Sequence, residues 1–253
     1  MPNGQFMIQV WLRNFLYFRK TFVVSLFWTI FEPLMYLAAF GFGFGRYIPP
    51  IEGLSFIDFY FPGLLCSTAM MVCYFESTYP NFTKLTHQKT YATMMLTPLT
   101  SQNILLGEIL WAATKGMIGV IGVMIVSVAF GLFSAKLVLI LPVLFLLSLI
   151  FAAFGMIVVS VAKNYDSFVF STSGFIIPLS LISGTYFSLK DVPQLVQWLA
   201  YAFPLSHAVQ LVRHILNQKI EVGTDAVHFC VLVIYVFVLI FISNKLFSKK
   251  LVQ

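Results

Sequence analysis

Six apolar segments dominate this chain, at about 22–45, 56–75, 104–132, 137–162, 167–188 and 226–247. Each is about 20 residues or longer, enough for a helix to cross roughly 30 Å of hydrocarbon. A β-barrel would need short segments of alternating polarity, which the sequence lacks. Of 253 residues, 60% are hydrophobic and 9% charged, against about 25% charged in a soluble domain. No soluble fold of this length hides so much apolar surface. The expected fold class is all-α integral membrane, a single transmembrane domain over 1–253 with six transmembrane helices.

Two weaker segments complete the layout. In 8–20, Ile8, Trp11, Leu12, Phe15 and Leu16 share one helical face, and Gln9, Arg13, Asn14, Tyr17 and Lys20 the other. This pattern predicts an N-terminal amphipathic helix lying in the membrane interface. Residues 192–216 are apolar but broken by Pro204 and sprinkled with Gln, His and Arg. Asp191 and Pro193 resemble an N-cap and first-turn pair. The segment therefore reads as two short helices, a re-entrant hairpin on the outer side between spans five and six. Arg13, Arg19 and Lys20 precede the first apolar stretch, which is too long for a signal core and lacks a small-x-small cleavage site, so it reads as a retained span.

Basic residues set the orientation. With the N-terminus inside, Arg13, Arg19, Lys20, Lys84, Lys89, Lys163, Lys245, Lys249 and Lys250 face the cytoplasm, nine in all. Arg46, Lys136, Lys190, Arg213 and Lys219 face outward, and Lys115 lies within a span. A seventh crossing would weaken this bias, so both termini are expected in the cytoplasm. The net charge of +6 comes with no basic run or polar domain, so no nucleic-acid partner is expected. Cys66, Cys73 and Cys230 all lie in apolar segments and read as small core residues.

Catalytic signatures are missing from the sequence. It holds no G-x-x-x-x-G-K-[ST], H-E-x-x-H, C-x-x-C or G-x-S-x-G. His207 and His214 are seven residues apart without a carboxylate spaced to join them, so no metal site is expected. Asn81-Phe82-Thr83 matches a glycosylation acceptor but falls on the cytoplasmic side, where it reads as chance. Ionisable groups inside spans cost about 2.5–3.5 kcal/mol each on insertion scales and need a reason. Glu32 lies mid-span beside Pro33, and Asp58 lies at the outer end of span two. Glu108 and Lys115 share a face of span three, where they pair through a neighbour or point to a cavity. Phe59, Tyr60, Phe61, Tyr74 and Phe75 form an aromatic cluster in span two.

Longer patterns carry a resemblance. These are Asp58-Phe-Tyr-Phe-Pro-Gly-Leu-Leu, Phe75-Glu-Ser-Thr-Tyr, Gln88-Lys-Thr-Tyr-Ala-Thr-Met-Met-Leu-Thr-Pro-Leu and Leu106-Gly-Glu-Ile-Leu-Trp-Ala-Ala-Thr-Lys-Gly. Phe175-Ile-Ile-Pro, Ser183-Gly-Thr-Tyr-Phe and Phe203-Pro-Leu-Ser-His-Ala follow. Together they resemble the permease subunits of type-2 ATP-binding-cassette exporters, in the branch of nodulation-factor and lipooligosaccharide exporters. The resemblance covers essentially the whole chain. It implies a bacterial inner-membrane protein working as two permeases with two ATPase subunits in contact with membrane lipid. ATP and Mg would sit on the partner, and this chain would bind no cofactor of its own.

The resemblance also places a coupling segment at 81–99, with Lys84, Gln88, Lys89, Thr90, Tyr91 and Met94 meeting the motor. Thr97-Pro98 would end that segment before span three. Translocation-path residues would be Glu32, Asp58, Tyr60, Tyr74, Phe75, Glu108 and Lys115. The outer gate would be Trp198, Pro204, His207 and Arg213. The cargo implied is an amphiphile, a lipid-linked oligosaccharide or glycolipid whose sugars stack on aromatic faces. A small-amphiphile or multidrug exporter of the same superfamily and a proton-coupled carrier are the alternatives. Spans four to six carry no charge at their apolar centres, which disfavours the carrier.

Overall fold

The computed structural model describes residues 3–132, 134–219 and 221–252. Among them, helices form α1 (Asn3–Lys20), α2 (Phe22–Ala38), α3 (Phe56–Thr86), α4 (Thr90–Met94), α5 (Ser101–Ser127) and α6 (Leu141–Val161). They continue with α7 (Asp166–Ser171), α8 (Ile177–Ile182), α9 (Gln194–Tyr201), α10 (Pro204–Leu216) and α11 (Val222–Val252). A π turn at Ala39–Gly43 extends α2, and another at Thr172–Ile176 joins α7 to α8. No strand occurs among the described residues, as expected where backbone groups have no water to pair with.

Five of these helices are long and apolar enough to cross a membrane: Phe22–Arg46, Phe56–Thr86, Ser101–Phe130, Ala135–Val161 and Val222–Leu251. The fifth apolar segment of the sequence forms the shorter continuous piece Asp166–Ile182, about 25 Å at 1.5 Å per residue. Its end comes six residues before the expected 188 because Gly184 takes a left-handed turn, with φ of +77°. Span two departs the other way, running as helix to Thr86 rather than to 75. Hydropathy falls after Phe75, yet helix continues because the polar residues that follow have partners inside the bundle.

Helix starts follow local chemistry. Ser55 caps α3 by accepting from the Asp58 N–H at 3.3 Å, and Thr100 caps α5 from the Asn103 N–H at 3.2 Å. Pro142 and Pro204 occupy the first turns of α6 and α10, where a missing N–H costs nothing. Pro62 and Pro80 lie inside α3, whose hydroxyls return bonds to its own backbone, as Thr78 Oγ1 does to the Tyr74 carbonyl at 2.8 Å.

The bundle is built around α3, which is buried along most of its length between α5, α6 and α10, whereas α2 and α11 remain largely exposed. Glycines let α3 approach its neighbours closely. A Cβ at Gly116 of α5 would lie 2.1 Å from Cys73 Sγ, and one at Gly155 of α6 would lie 1.9 Å from Ser77 Oγ. Small residues at helix crossings do this in membranes, where packing rather than hydrophobic contrast holds helices together. Cys66 and Cys73 are buried as expected, but Cys230 is exposed on α11, a helix that turns most of its apolar surface outward.

The two chain ends meet at one end of the bundle. Val10 of α1 packs at Gly107 near the start of α5. Ser248 near the end of α11 hydrogen-bonds Ser101 at 2.9 Å. The amphipathic helix is confirmed as a helix, with Ile8, Leu12, Phe15 and Leu16 exposed. Its polar face is divided: Gln9, Tyr17 and Lys20 are exposed, while Asn14 is buried and Arg13 half-buried against the bundle beside Val10 and Phe18.

Gly116→Val and Gly155→Val are expected to lower stability by about 1–3 kcal/mol each through overpacking. The thermal unfolding midpoint of purified protein in detergent checks this.

Candidate functional site

An open-sided cleft of about 820 Å³ lies between α2, α3 and the α7–α8 segment. The face of α2 that lines it repeats at helical spacing: Ser25, Trp28, Thr29, Glu32, Tyr36 and Phe40. Aromatic rings close the end away from α1, with Phe40, Tyr60 and Tyr186 in mutual contact at centroid distances of 5.4–5.5 Å. Burial pushes the Tyr186 phenol above its ordinary range, which keeps it a neutral hydrogen-bonding group. Polar groups sit deeper, among them Ser67 and Ser180, whose hydroxyls are 3.2 Å apart.

A second cavity of about 460 Å³ adjoins the first toward the α1 end, lined by Arg13, Asn14, Lys84 and Trp111 among others. Glu76, Pro80, Lys115 and Ser25 line both cavities. At this junction Lys115 Nζ and Trp111 Nε1 each donate to Glu76 at 2.6 Å. Glu76 escaped sequence reasoning because it falls one residue beyond the apolar segment ending at 75. The unassigned partner of Lys115 was the available signal.

Behind the inner cavity lies a second ionic cluster. Glu108 is fully buried, and its carboxylate accepts from Arg13 Nη2, Asn14 Nδ2 and Lys84 Nζ, each at 2.8 Å. Asn14 Oδ1 and Asn81 Oδ1 take further bonds from Lys84 at 3.1 and 2.9 Å. A buried carboxylate is tolerable only when paired and fully hydrogen-bonded, and here both conditions hold. Glu108 and Lys115 therefore neither pair with each other nor share a cavity. Each is joined to α3 by a residue of opposite sign, Lys84 and Glu76.

The path residues expected from sequence divide accordingly. Glu32, Tyr60, Phe75 and Lys115 line the cleft. Asp58 does not; it is exposed at the outer cap of α3, accepting from Ser55 Oγ at 2.5 Å. Tyr74 does not line the cleft; it is buried between α3 and α7, hydrogen-bonded to Ser171. Glu108 belongs to the inner cluster.

In the segment expected to meet a motor, Gln88 and Lys89 are exposed and Thr90 half-buried. Lys89 adopts a left-handed backbone with φ of +54° at the start of α4. Lys84 points inward to Glu108, and Tyr91 is wholly buried against Phe247, its phenol held well above its ordinary range by burial. These two support the segment from inside and present no outer surface. Met94 Sδ accepts from Arg13 at 3.0 Å, which ties α4 to α1.

At the opposite end, α9 and α10 form the two short helices expected from the sequence. Pro204 starts α10 rather than interrupting a helix, and Trp198 is exposed. His207 and Arg213 are buried. Arg213 donates to the carbonyls of Phe59 and Gly184 at 3.1 and 3.0 Å and stacks over the Phe59 ring at 3.7 Å. Burial pushes its pKa down to about 10, which leaves it charged at physiological pH. It clamps α10 onto the start of α3. His207 Nδ1 lies 2.7 Å from His228 Nδ1, and its Nε2 lies 2.9 Å from the Tyr201 carbonyl. His214 pairs with Asp225 at 2.6 Å. Among the described residues no three His, Cys, Asp or Glu side chains gather as metal ligands.

The ABC-2 type transporter family matches residues 5–217, most of the chain and every element around the cleft. The chain belongs to the ABC-2 type transporter family. Its relatives include a nodulation protein J from Rhizobium leguminosarum bv. trifolii, 34% identical over all of this chain and 97% of that protein. The nodulation protein J of Bradyrhizobium diazoefficiens is 34% identical over 96% of this chain and 93% of its own length. That of Rhizobium meliloti is 32% identical over 98% and 95%. No solved structure gives a significant match. Membership makes this chain an integral membrane transport subunit rather than a catalytic one. The cleft, the second cavity and the ionic junction between them are the candidate site of this ABC-2 subunit.

Two outcomes are expected. Glu108→Gln should destabilise the subunit by about 3 kcal/mol, the low end for a broken buried ion pair because Arg13 is one-third exposed. Arg13→Met/Lys84→Met/Glu108→Leu should recover most of the loss, read as thermal midpoints. The second outcome concerns His207, which burial holds below the ordinary imidazole range. Below about pH 6.5 the unfolded chain takes up a proton that folded His207 resists, so stability should fall as pH drops through that range. His207→Gln should flatten the dependence, leaving the share that comes from His228, which burial also holds low.

Proposed function

We propose that this chain is the membrane half of an ATP-driven exporter of an amphiphile. Two copies would assemble with two ATPase subunits that carry the ATP and Mg. The reading uses six crossings, with Asp166–Ile182 as the fifth, both termini in the cytoplasm of a bacterium and the α9–α10 hairpin on the outer face of the inner membrane. The meeting of α1 with the end of α11 supports an even number of crossings.

The observation that carries the proposal is the composition of the cleft. Its wall is largely apolar, its outer end is ringed by tyrosine and phenylalanine, and its inner end holds hydroxyls and an ion pair. Such a surface suits a molecule with an acyl chain and a sugar head, since aromatic faces stack on sugar rings while hydroxyls and carboxylates bind sugar hydroxyls. A lipid-linked oligosaccharide or glycolipid fits this description, and the names of the nodulation relatives are consistent with it. The cleft volume of about 820 Å³ also falls within the range of small-molecule pockets, roughly 300–1,000 Å³. That favours, as a second reading, a smaller amphiphile such as a drug.

ATP-driven closure of the motors would reach the cleft through the exposed turn Gln88–Thr90, then through α4 and the Arg13 contact to α1. Lys89→Glu is expected to reduce cargo-stimulated ATP hydrolysis by the reconstituted permease–ATPase complex several-fold while leaving permease folding and basal hydrolysis unchanged. Undiminished stimulation would overturn this placement of the coupling turn. Transport driven by a proton gradient with no ATPase present would overturn the exporter reading in favour of a carrier.

A further inference from the structure

Ionic groups inside the membrane-spanning part of the chain are nearly all neutralised. Glu108 answers Arg13 and Lys84, and Glu76 answers Lys115. Glu32 is different. It lies in the middle of the Phe22–Arg46 span, lines the cleft, and has no hydrogen bond or ion pair among the described residues. A carboxylate at that depth is costly unless it faces water or a ligand.

The charge of the cleft follows directly. Its ionic lining is Glu32, Glu76 and Lys115. Glu76 and Lys115 pair at 2.6 Å, which leaves Glu32 as the acidic group of the lining without a partner among the described residues. The inner cavity is opposite in sign, because Arg13 and Lys84 both reach its wall and share the single Glu108 carboxylate, which leaves one cation in excess. A phosphate-bearing head would be attracted to the inner cavity and then repelled by Glu32 on entering the cleft. An uncharged sugar would donate hydrogen bonds from its hydroxyls to the carboxylate, and an amino sugar would pair with it. In the apolar surroundings of the span the carboxylate's interaction with a nearby charge is several times stronger than in bulk water.

We propose that the cleft sorts its cargo by head-group charge, with Glu32 as the discriminating residue. It admits a sugar head that is uncharged or carries an amino group, and it excludes a head that carries phosphate. The proposal rests on the reading of the cleft as the cargo site, and narrows it to glycolipids without a phosphate or pyrophosphate linkage.

The test uses the full chain in phosphatidylcholine nanodiscs and three amphiphiles sharing one brominated alkyl chain. Their heads are maltose, glucosamine and maltose phosphate. Binding is read as bromine quenching of tryptophan emission, and the Trp28→Phe variant identifies the share that arises in the cleft. Wild-type protein should bind the maltose and glucosamine probes at least about tenfold more tightly than the phosphate probe. Glu32→Gln should erase that difference and Glu32→Lys should invert it. Glu32→Asp, which keeps the charge, should retain it.

Discrimination that persists in Glu32→Gln would overturn the proposal. So would equal binding of all three probes by wild type, which would leave the cleft standing as a cargo site without charge selection. If none of the probes quenched Trp28, the cleft reading itself would fall and the proposal with it. A change of oligomeric state in monodisperse Glu32→Gln would also overturn the proposal, by assigning the carboxylate to a contact with a second copy.

Discussion

A carboxylate with no access to water, held between an interfacial helix and two spans, governs this fold. Glu108 is satisfied by three donors from α1 and α3, and removing any of them would leave charge or dipole uncompensated in an apolar interior. That requirement explains why α1 does not simply float on the membrane surface. Arg13 and Asn14 turn inward because they are the groups that make Glu108 tolerable, while Gln9, Tyr17 and Lys20 of the same stripe stay exposed. It also explains why α3 runs on as helix past its last apolar stretch, since Lys84 must reach the same carboxylate.

Glu76 and Lys115 repeat the arrangement two turns away with the signs exchanged. On α5 the order is anion then cation, at 108 and 115. On antiparallel α3 the partners are cation then anion, at 84 and 76. Two crossed rungs specify register as well as attraction. A slip of α3 by two turns would bring Glu76 to the level of Glu108 and set like charges face to face. Membrane helices have little hydrophobic contrast to fix their register, so an alternating ionic ladder backed by close glycine contacts supplies what apolar packing alone would leave loosely specified.

Class, the long helices, the short outer pair and the aromatic composition of span two were legible in the sequence because hydropathy and periodicity report burial in lipid. What was not legible depends on pairing between helices. Glu108 and Lys115 share a face of α5, which is visible from spacing, but their partners lie on a different helix 24 and 39 residues earlier. Glu76 was missed because an apolar-window reading ends a span where polar residues begin, although those residues are the ones with interior partners. Arg213 and His207 looked like surface groups because charge predicts exposure unless a carbonyl or a second imidazole is waiting, as the carbonyls of Phe59 and Gly184 and the ring of His228 are. The aromatic cluster of span two put Tyr74 with Phe75 among the path residues, though adjacent residues on a helix point about 100° apart.

The same ladder divides the cleft into walls of unequal stiffness. The α3 wall is fastened to α5 by two ionic rungs and to α6 by close glycine packing. The α2 wall packs on α5 at Gly119 and Gly122 but has no ionic rung among the described residues. The α7–α8 wall is held to α3 by the Ser67–Ser180 and Tyr74–Ser171 hydrogen bonds. Each of these walls contains a π turn, at Ala39–Gly43 and Thr172–Ile176. A π turn holds one residue more than the α-helical ladder accommodates, and it can be passed along a helix at small cost, which is why such turns recur where helices adjust at functional sites. Alternating opening of the cleft then requires no rearrangement of the α3–α5 core. On the proposed exporter reading, these π turns are where the walls that bear Glu32 and Ser180 would shift against the α3 face that bears Tyr60 and Glu76.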